Sequence, residues 1–276
     1  MDSRPIALFD SGVGGLSILR EITRLLPWED TLYFADKANC PYGDLSLPEV
    51  RGLSLGITEF LLRKEAKVIV IACNTASAAA LQGLRASFPE TPFIGMVPAV
   101  KPAATLTHSR RVGVLATPAT FQGELFADVV SRFATDVEVI AQACPGLVDK
   151  VEEGDMCGSE TAALLDSYVA PLLQEGVDTL VLGCTHYAFL IPLLQHMVGE
   201  GVNIVDPSPA IARQTKHILT QSDMLKEDSL PGKREFYASG DAIALSRTTS
   251  YLIGKEEKFI AVHWQQHRGL SPYLRI

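Results

Sequence analysis

Two runs, Val68-Ile69-Val70-Ile71-Ala72 and Thr179-Leu180-Val181-Leu182-Gly183, restrict the fold of this chain more than any other feature. Each is short, apolar and rich in β-branched residues. Each opens directly into a polar turn, Cys73-Asn74-Thr75 after the first and Cys184-Thr185-His186 after the second. Runs of this kind read as strands buried on both faces, as in parallel sheets. A helix-like segment follows each turn. Both cysteines are therefore expected at the carboxyl ends of central strands, where open α/β sheets hold their ligands. One such cysteine suggests a nucleophile. Two in matching positions, 111 residues apart, suggest one substrate held between two thiols.

Strand-like and helix-like segments alternate through most of the 276 residues. Strands are expected at 5–9, 31–35, 67–72, 92–96, 111–116, 136–142, 178–183, 203–206, 234–239 and 258–263. Leu16, Leu19, Ile22 and Leu26 mark one face of a first helix. Ser46-Leu47-Pro48-Glu49 has capping-box spacing, with proline in the first turn, and starts the next. This alternation predicts an α/β fold with mostly parallel sheets flanked by helices. A weak repeat divides it. The strand, turn and helix at 5–26 resemble those at 111–134, and the offset of 107 from Asp10 to Thr117 is close to the 111 between the cysteines. Two similar domains are expected, with the active site in the cleft between them. Crossings at Val97-Pro98-Ala99 and Asp206-Pro207-Ser208 put 1–97 plus 208–276 in the first domain and 98–207 in the second.

Composition narrows the function. No apolar run reaches the ~18–20 residues of a membrane span. The opening Met-Asp-Ser-Arg-Pro lacks the apolar stretch of a signal peptide, so a cytoplasmic protein is expected. Five cysteines (40, 73, 144, 157 and 184) without paired spacing argue against a disulfide framework. A formal charge of −8 and the lack of a basic cluster argue against nucleic acid as a partner, but not against a small anionic substrate.

The first turn, Asp10-Ser11-Gly12-Val13-Gly14-Gly15-Leu16-Ser17, supports two readings. Gly12 and Gly14 fit the first two glycines of a dinucleotide fingerprint, and Asp36 ends the second strand where a ribose-binding acid would stand. Ser17 occupies the third glycine position, however, and Asp10 at the mouth of the turn would repel a pyrophosphate. A zwitterion suits the turn better: helix-start N–H groups take its carboxylate, and Asp10 takes its ammonium or positions a base. The glycines alone are also explained by close strand–helix packing.

A cysteine flanked by apolar residues is usually a small core residue. Strand-end position sets Cys73 and Cys184 apart. Helix-start N–H groups beside them are expected to stabilise a thiolate and lower the thiol pKa. His186 stands where a base or donor would help Cys184. Cys40 stands in a loop before Pro41-Tyr42-Gly43, while Cys144 and Cys157 are most simply structural. His263-Trp264-Gln265-Gln266-His267 has the i, i+4 spacing of a zinc helix but lacks its glutamate and falls in a strand-like segment, so no metal is expected there. No lysine marks a pyridoxal phosphate site, and no cofactor is expected.

Together, Phe9-Asp10-Ser11-Gly12-Val13-Gly14-Gly15-Leu16-Ser17, Tyr33-Phe34-Ala35-Asp36, Cys40-Pro41-Tyr42-Gly43, Ala72-Cys73-Asn74-Thr75-Ala76, Val151-Glu152-Glu153-Gly154, Gly183-Cys184-Thr185-His186-Tyr187 and Val205-Asp206-Pro207-Ser208 resemble the glutamate racemase family. That family belongs to the cofactor-independent aspartate/glutamate racemase superfamily. The resemblance implies a two-base reaction, in which one cysteine thiolate removes the α-proton and the other thiol delivers a proton to the opposite face. It implies that Cys73 acts on D-glutamate and Cys184 on L-glutamate, flanked by Asp10 and His186. Asp10, Ser11, Pro41, Tyr42, Gly43, Asn74, Thr75, Thr185 and His186 would hold the substrate, with Asp36 and Glu152 assisting from behind. No arginine lies in a matched turn, so the distal carboxylate is expected on N–H and hydroxyl donors, with Tyr42, Gly43, Thr117 and Thr120 as candidates. Aspartate racemisation is the nearest alternative, because one methylene discriminates only modestly in a simple pocket. A role in peptidoglycan synthesis and a homodimer are further implications of the resemblance. A dinucleotide-dependent oxidoreductase and a two-domain binding protein are the readings from other classes.

Overall fold

Residues whose side chains alternate between two apolar layers build the centre of the molecule. In the computed structural model, which describes residues 2–122, 124–226, 230–265 and 273–275, the chain runs β1 (Ile6–Asp10), α1 (Leu16–Leu25), β2 (Thr31–Ala35), α2 (Leu47–Arg63), β3 (Val68–Ile71), α3 (Asn74–Ser87) and β4 (Phe93–Ile94). It continues through α4 (Val100–Leu106), β5 (Arg111–Ala116), α5 (Pro118–Gln122), α6 (Glu124–Phe133), β6 (Glu138–Ala143), α7 (Leu147–Glu152), α8 (Ser159–Gln174), β7 (Thr179–Leu182), α9 (Ile191–Val198) and β8 (Asn203–Val205). It ends with α10 (Ser208–Gln221), β9 (Arg234–Ser239), α11 (Ala242–Ile253), β10 (Phe259–Gln265) and β11 (Tyr273–Arg275).

Two sheets result, ordered β11-β10-β9-β2-β1-β3-β4 and β6-β5-β7-β8. Every pairing is parallel except β10 with β11. The order β2-β1-β3-β4 recurs as β6-β5-β7-β8, which is the structural form of the sequence repeat. Cys73 follows β3 and Cys184 follows β7, at equivalent places. Their backbones nearly coincide, at φ −142°, ψ 124° and φ −141°, ψ 134°.

The apolar runs are explained by two-sided burial. Ile6, Leu8, Tyr33, Val68 and Val70 join one core layer, while Ala7, Phe9, Phe34, Ile69 and Ile71 join the other. A strand covered on both faces has no solvent side to mark with polar residues. Burying each large aliphatic side chain contributes about 1.5–3 kcal/mol. The first layer continues without a break into Leu147, Val151, Leu180, Leu182, Tyr187 and Leu190 on the side of the smaller sheet. The two halves therefore share apolar packing beside the cleft. After β8 the chain returns: α10 packs on α1, and β9 pairs with β2.

The helix expected directly after Cys184 opens instead as a 3-10 turn, Thr185–Leu190, before α9. Pro192 in the first turn of α9 has no N–H to give the carbonyl four residues back, which stops the α ladder there. The zinc-spacing segment places His263, Trp264 and Gln265 on β10; Gln266 and His267 lie outside the described residues. No helix among the described residues is long and apolar enough to cross a membrane.

Candidate active site

Strands β1, β3 and β7 end around one small, nearly filled cavity of about 10 Å³. Its lining includes Cys73 and Cys184, together with Ser11, Pro41, Tyr42, Gly43, Asn74, Thr75, Thr117, Thr185 and His186. Both thiols are buried, at 6% and 7% exposure, so the expected cleft is closed over them. Asp10 and Thr120 stand behind this lining. Val148 and Gly183 also line it; neither stands out in the sequence as a site residue, although Gly183 belongs to the Cys184 motif.

Each cysteine caps a helical turn. The Ala76 N–H donates to Cys73 Sγ at 3.4 Å. By helix geometry, the first N–H groups of such turns lack intrahelical acceptors. Both ends of the Asn74 side-chain amide are buried without a hydrogen-bond partner among the described residues, as is Asp10 Oδ1. Unpaired buried groups cost about 1–3 kcal/mol each, a cost removed by a ligand carrying its own donors and acceptors. Thr75, Thr117 and Thr120 form a triangle of hydroxyls at 2.9, 3.3 and 2.9 Å that bridges the two halves.

The thiol environment differs from the expectation. Burial pushes the Cys73 thiol well up, the Asp10 carboxylate beside it adds to this, and the Ala76 N–H offsets only part. Desolvation outweighs the helix start in the closed site. Burial likewise raises the Asp10 carboxyl, against the opposing charge of His186 and the Gly15 N–H, which donates to Asp10 Oδ2 at 2.8 Å.

On the Cys184 side, the thiol lies 3.7 Å from His186 Nδ1, and His186 Nε2 lies 2.7 Å from Glu152 Oε1. Burial alone would lower the His186 pKa. Its hydrogen bonds to Cys184, Cys40 and Glu152 more than compensate and hold it well above its ordinary value. Burial would raise Glu152, but the hydrogen bond and charge of His186, with the Lys37 ammonium, bring it down to about 2. Glu152 Oε1 also accepts the Val13 N–H at 2.7 Å, and Oε2 pairs with Lys37 Nζ at 2.7 Å.

This overturns the view of the glycine turn as a receptor for the substrate carboxylate. Glu152 supplies the carboxylate at Val13, and Asp10 takes the Gly15 N–H. Cβ atoms on Gly12 and Gly14 would stand 1.8 Å from Glu152 Oε1 and 2.5 Å from His186 Nδ1. Protein side chains thus fill the place where a dinucleotide pyrophosphate would lie.

Asp36 holds Tyr42. It accepts the Tyr42 hydroxyl at 2.6 Å, the Ser239 hydroxyl at 2.6 Å and the Trp264 indole N–H at 2.7 Å, along with Asn39. Ser239 and Trp264 come from β9 and β10, and no local motif could have pointed to them. Cys40 lies with Glu152 and His186, one ligand-type atom from each falling within 4.8 Å of the others. Burial pushes the Cys40 thiol up to about 11, and the Lys37 ammonium on Glu152 opposes a cation, so the trio reads as a hydrogen-bonded relay. Cys144 is buried, with its carbonyl accepting the Tyr187 hydroxyl, as a structural cysteine should be. Cys157 is exposed and packs nothing away, contrary to its structural reading.

Comparison with known proteins agrees with this geometry. Residues 13–215 match the family described as Asp/Glu/Hydantoin racemase. A glutamate racemase of Roseiflexus sp. is 52% identical over 240 residues, covering 87% of this chain and 88% of that one. The crystal structure of glutamate racemase isoform RacE1 from Bacillus anthracis superposes with a TM-score of 0.87 at 32% identity, over 95% of this chain and 98% of that one. The glutamate racemase from Francisella tularensis, solved with D-glutamate, gives 0.84 at 28% identity over the same shares of 95% and 98%. The chain belongs to the Asp/Glu/hydantoin racemase family and, within it, to the glutamate racemases.

Proposed function

We propose that this enzyme interconverts L- and D-glutamate without a cofactor, with Cys73 and Cys184 as the two bases. One observation carries the reading: two thiols at equivalent strand ends, one from each sheet, line one closed cavity that also presents an unpaired amide. The first domain comprises 1–97 plus 208–276, the second 98–207, and each contributes one cysteine.

With D-glutamate bound, the Cys73 thiolate takes the α-proton while the Cys184 thiol gives a proton to the other face. L-glutamate runs the same steps in reverse. After one passage the protonation of the two sulfurs is exchanged, and Asp10 and His186 restore it. Burial raises the Asp10 carboxyl and the partners of His186 raise its imidazole, so each holds a proton more readily than the free side chain and can return one beside its sulfur. A positioned base supplies about 10²–10⁴-fold. The remainder comes from stabilising the carbanion with helix-start N–H groups in a site closed to water. Ser11, Asn74, Thr75 and Thr185 hold the α-amino acid end. Tyr42, Gly43, Thr117 and Thr120 hold the distal carboxylate. The product serves peptidoglycan synthesis in the cytoplasm, and a homodimer is the expected assembly.

The test is L-glutamate in D₂O with no added cofactor, followed by polarimetry and α-proton NMR. Decaying rotation with deuterium entering D-glutamate is expected. Absence of both, with aspartate turned over instead, would overturn the substrate assignment. Cys73→Ser and Cys184→Ser are each expected to lose racemisation by orders of magnitude, and near-normal turnover in either would remove that sulfur from the mechanism.

A further inference from the structure

Lys37 begins a 3-10 turn, Lys37–Asn39, directly after β2 on the larger sheet. Glu152 ends α7 on the side of the smaller sheet. The pair spans the closed cleft at 2.7 Å, with the glutamate side chain 4% exposed and the lysine 30%. Glu152 Oε1 meanwhile takes the Val13 N–H from the larger sheet's side and His186 Nε2 from its own. Two of the three partners of this carboxylate therefore come from across the cleft, and opening removes both.

We infer that Lys37 is a positioning residue for proton transfer at Cys184: closure brings its ammonium to Glu152, and through that carboxylate it sets how tightly His186 holds its proton. The inference rests on the roles read above for Cys184 and His186 and adds a residue to them. Exposed ion pairs, such as that between Arg132 and Asp128, generally contribute little. A buried carboxylate is different, because its charge is screened far less than one in water. Without Lys37, the negative charge of Glu152 would fall almost wholly on the His186 imidazolium and clamp its proton. With the ammonium on the opposite oxygen, part of that charge is compensated and the ring releases its proton more readily.

The charged and titratable groups facing the relay are few. His186 faces Cys184 on its own turn, Cys40 from the loop after Lys37–Asn39, Glu152 from α7, Cys73 from the end of β3, and the charge of Asp10 from β1. Lys37 faces Glu152, Cys40 and Asp149. Apart from His186, it is the cation that bonds Glu152 among the described residues. Because closure delivers Lys37, the relay reaches its working state only when water is excluded.

Enantiomers have equal free energy in water, so kcat/KM must stay equal in the two directions for every variant. The contribution of Lys37 cannot appear as a directional preference there. It is read from the ring itself. Full-length protein labelled with ¹⁵N-histidine, at saturating glutamate, is titrated by NMR as wild type, Lys37→Met and Lys37→Arg, with His186 identified by its absence in His186→Gln. In Lys37→Met the ring should stay protonated to higher pH by about one unit, with the alkaline limb of the kcat profile moving alongside. Lys37→Arg, which keeps the charge, should restore both. An unmoved ring titration in Lys37→Met, or a shift of the same size in Lys37→Arg, would overturn the inference, and a raised KM alone would reduce the pair to a clasp between domains. The ring titration does not depend on turnover, so an inactive wild type would refute the racemase reading separately.

Discussion

Gly14 faces the His186 ring with no space between them. A Cβ at Gly14 would stand 2.5 Å from His186 Nδ1 and 2.5 Å from Thr185 Oγ1. The glycine is there for close approach, and an alanine must push the ring that faces Cys184. Displacements of about 1 Å at a reacting group cost on the order of 10²-fold. Gly14→Ala is therefore expected to lower kcat/KM by about that factor, while overpacking costs about 1–3 kcal/mol of stability; steady-state kinetics and thermal unfolding separate the two. Glu152 gives a second residue-scale prediction. Its carboxyl is held down to about 2 from an ordinary 4.5, so the stability it contributes is fully present above pH 4.5 and lost as pH falls toward 2. His186, held above its ordinary 6.5, contributes below that pH and loses its share as pH rises through its folded value. Wild type should exceed Glu152→Gln in urea midpoint most clearly from pH 4.5 to 6.5, and the two should converge on acidification. Equal midpoints throughout would show that the buried carboxylate contributes nothing as an ion.

Among the elements, α2 was readable from four residues. The Ser46 N–H donates to Glu49 Oε2 at 2.9 Å, and the Glu49 N–H reaches Ser46 Oγ at 3.5 Å, the reciprocal pair that the spacing predicted. Ser46→Ala should lower stability by about 1 kcal/mol without changing kcat, since the cap is exposed and does not line the cavity; thermal melts and kinetics check both halves. The strands were equally legible where burial is two-sided, because an apolar run such as Val68–Ile71 has no other use. Elements held by context were not. β11 is three residues paired antiparallel to β10, too short to carry a pattern. The Asp36 carboxylate could be singled out through the family resemblance, but its clamps, Ser239 and Trp264, lie more than 200 residues away in sequence and meet it only through sheet order. The expectation of a lowered Cys73 thiol pKa failed for a related reason. The helix start that favours a thiolate is local and visible in sequence, whereas the burial that opposes it is a property of the closed fold.

At the scale of the molecule, the two halves are joined by a continuous apolar layer on one side and by polar contacts over the cavity on the other. The polar contacts include Thr75 with Thr117 and Thr120, Lys37 with Glu152, and the Val13 N–H with Glu152. Apolar packing can roll while staying buried, but the polar contacts must break for a substrate to pass. Opening is therefore expected on the cavity side, about a hinge near the shared core. Thiol chemistry can follow this motion, because the five free cysteines occupy three environments. Cys157 is exposed and should react with a disulfide reagent first, and half-buried Cys40 more slowly. Cys73, Cys184 and Cys144 are all buried, but for different reasons: the first two line a cavity that opens, while Cys144 belongs to the shared core. Modification of Cys73 and Cys184 should proceed at the rate of opening and slow further when glutamate holds the halves together. Modification of Cys144 should require unfolding and be indifferent to glutamate. Mass spectrometry of quenched time points resolves the sites. Cys73 and Cys184 reacting as slowly as Cys144, with glutamate making no difference, would mean that the halves do not part under native conditions and that closure is not the step that admits substrate.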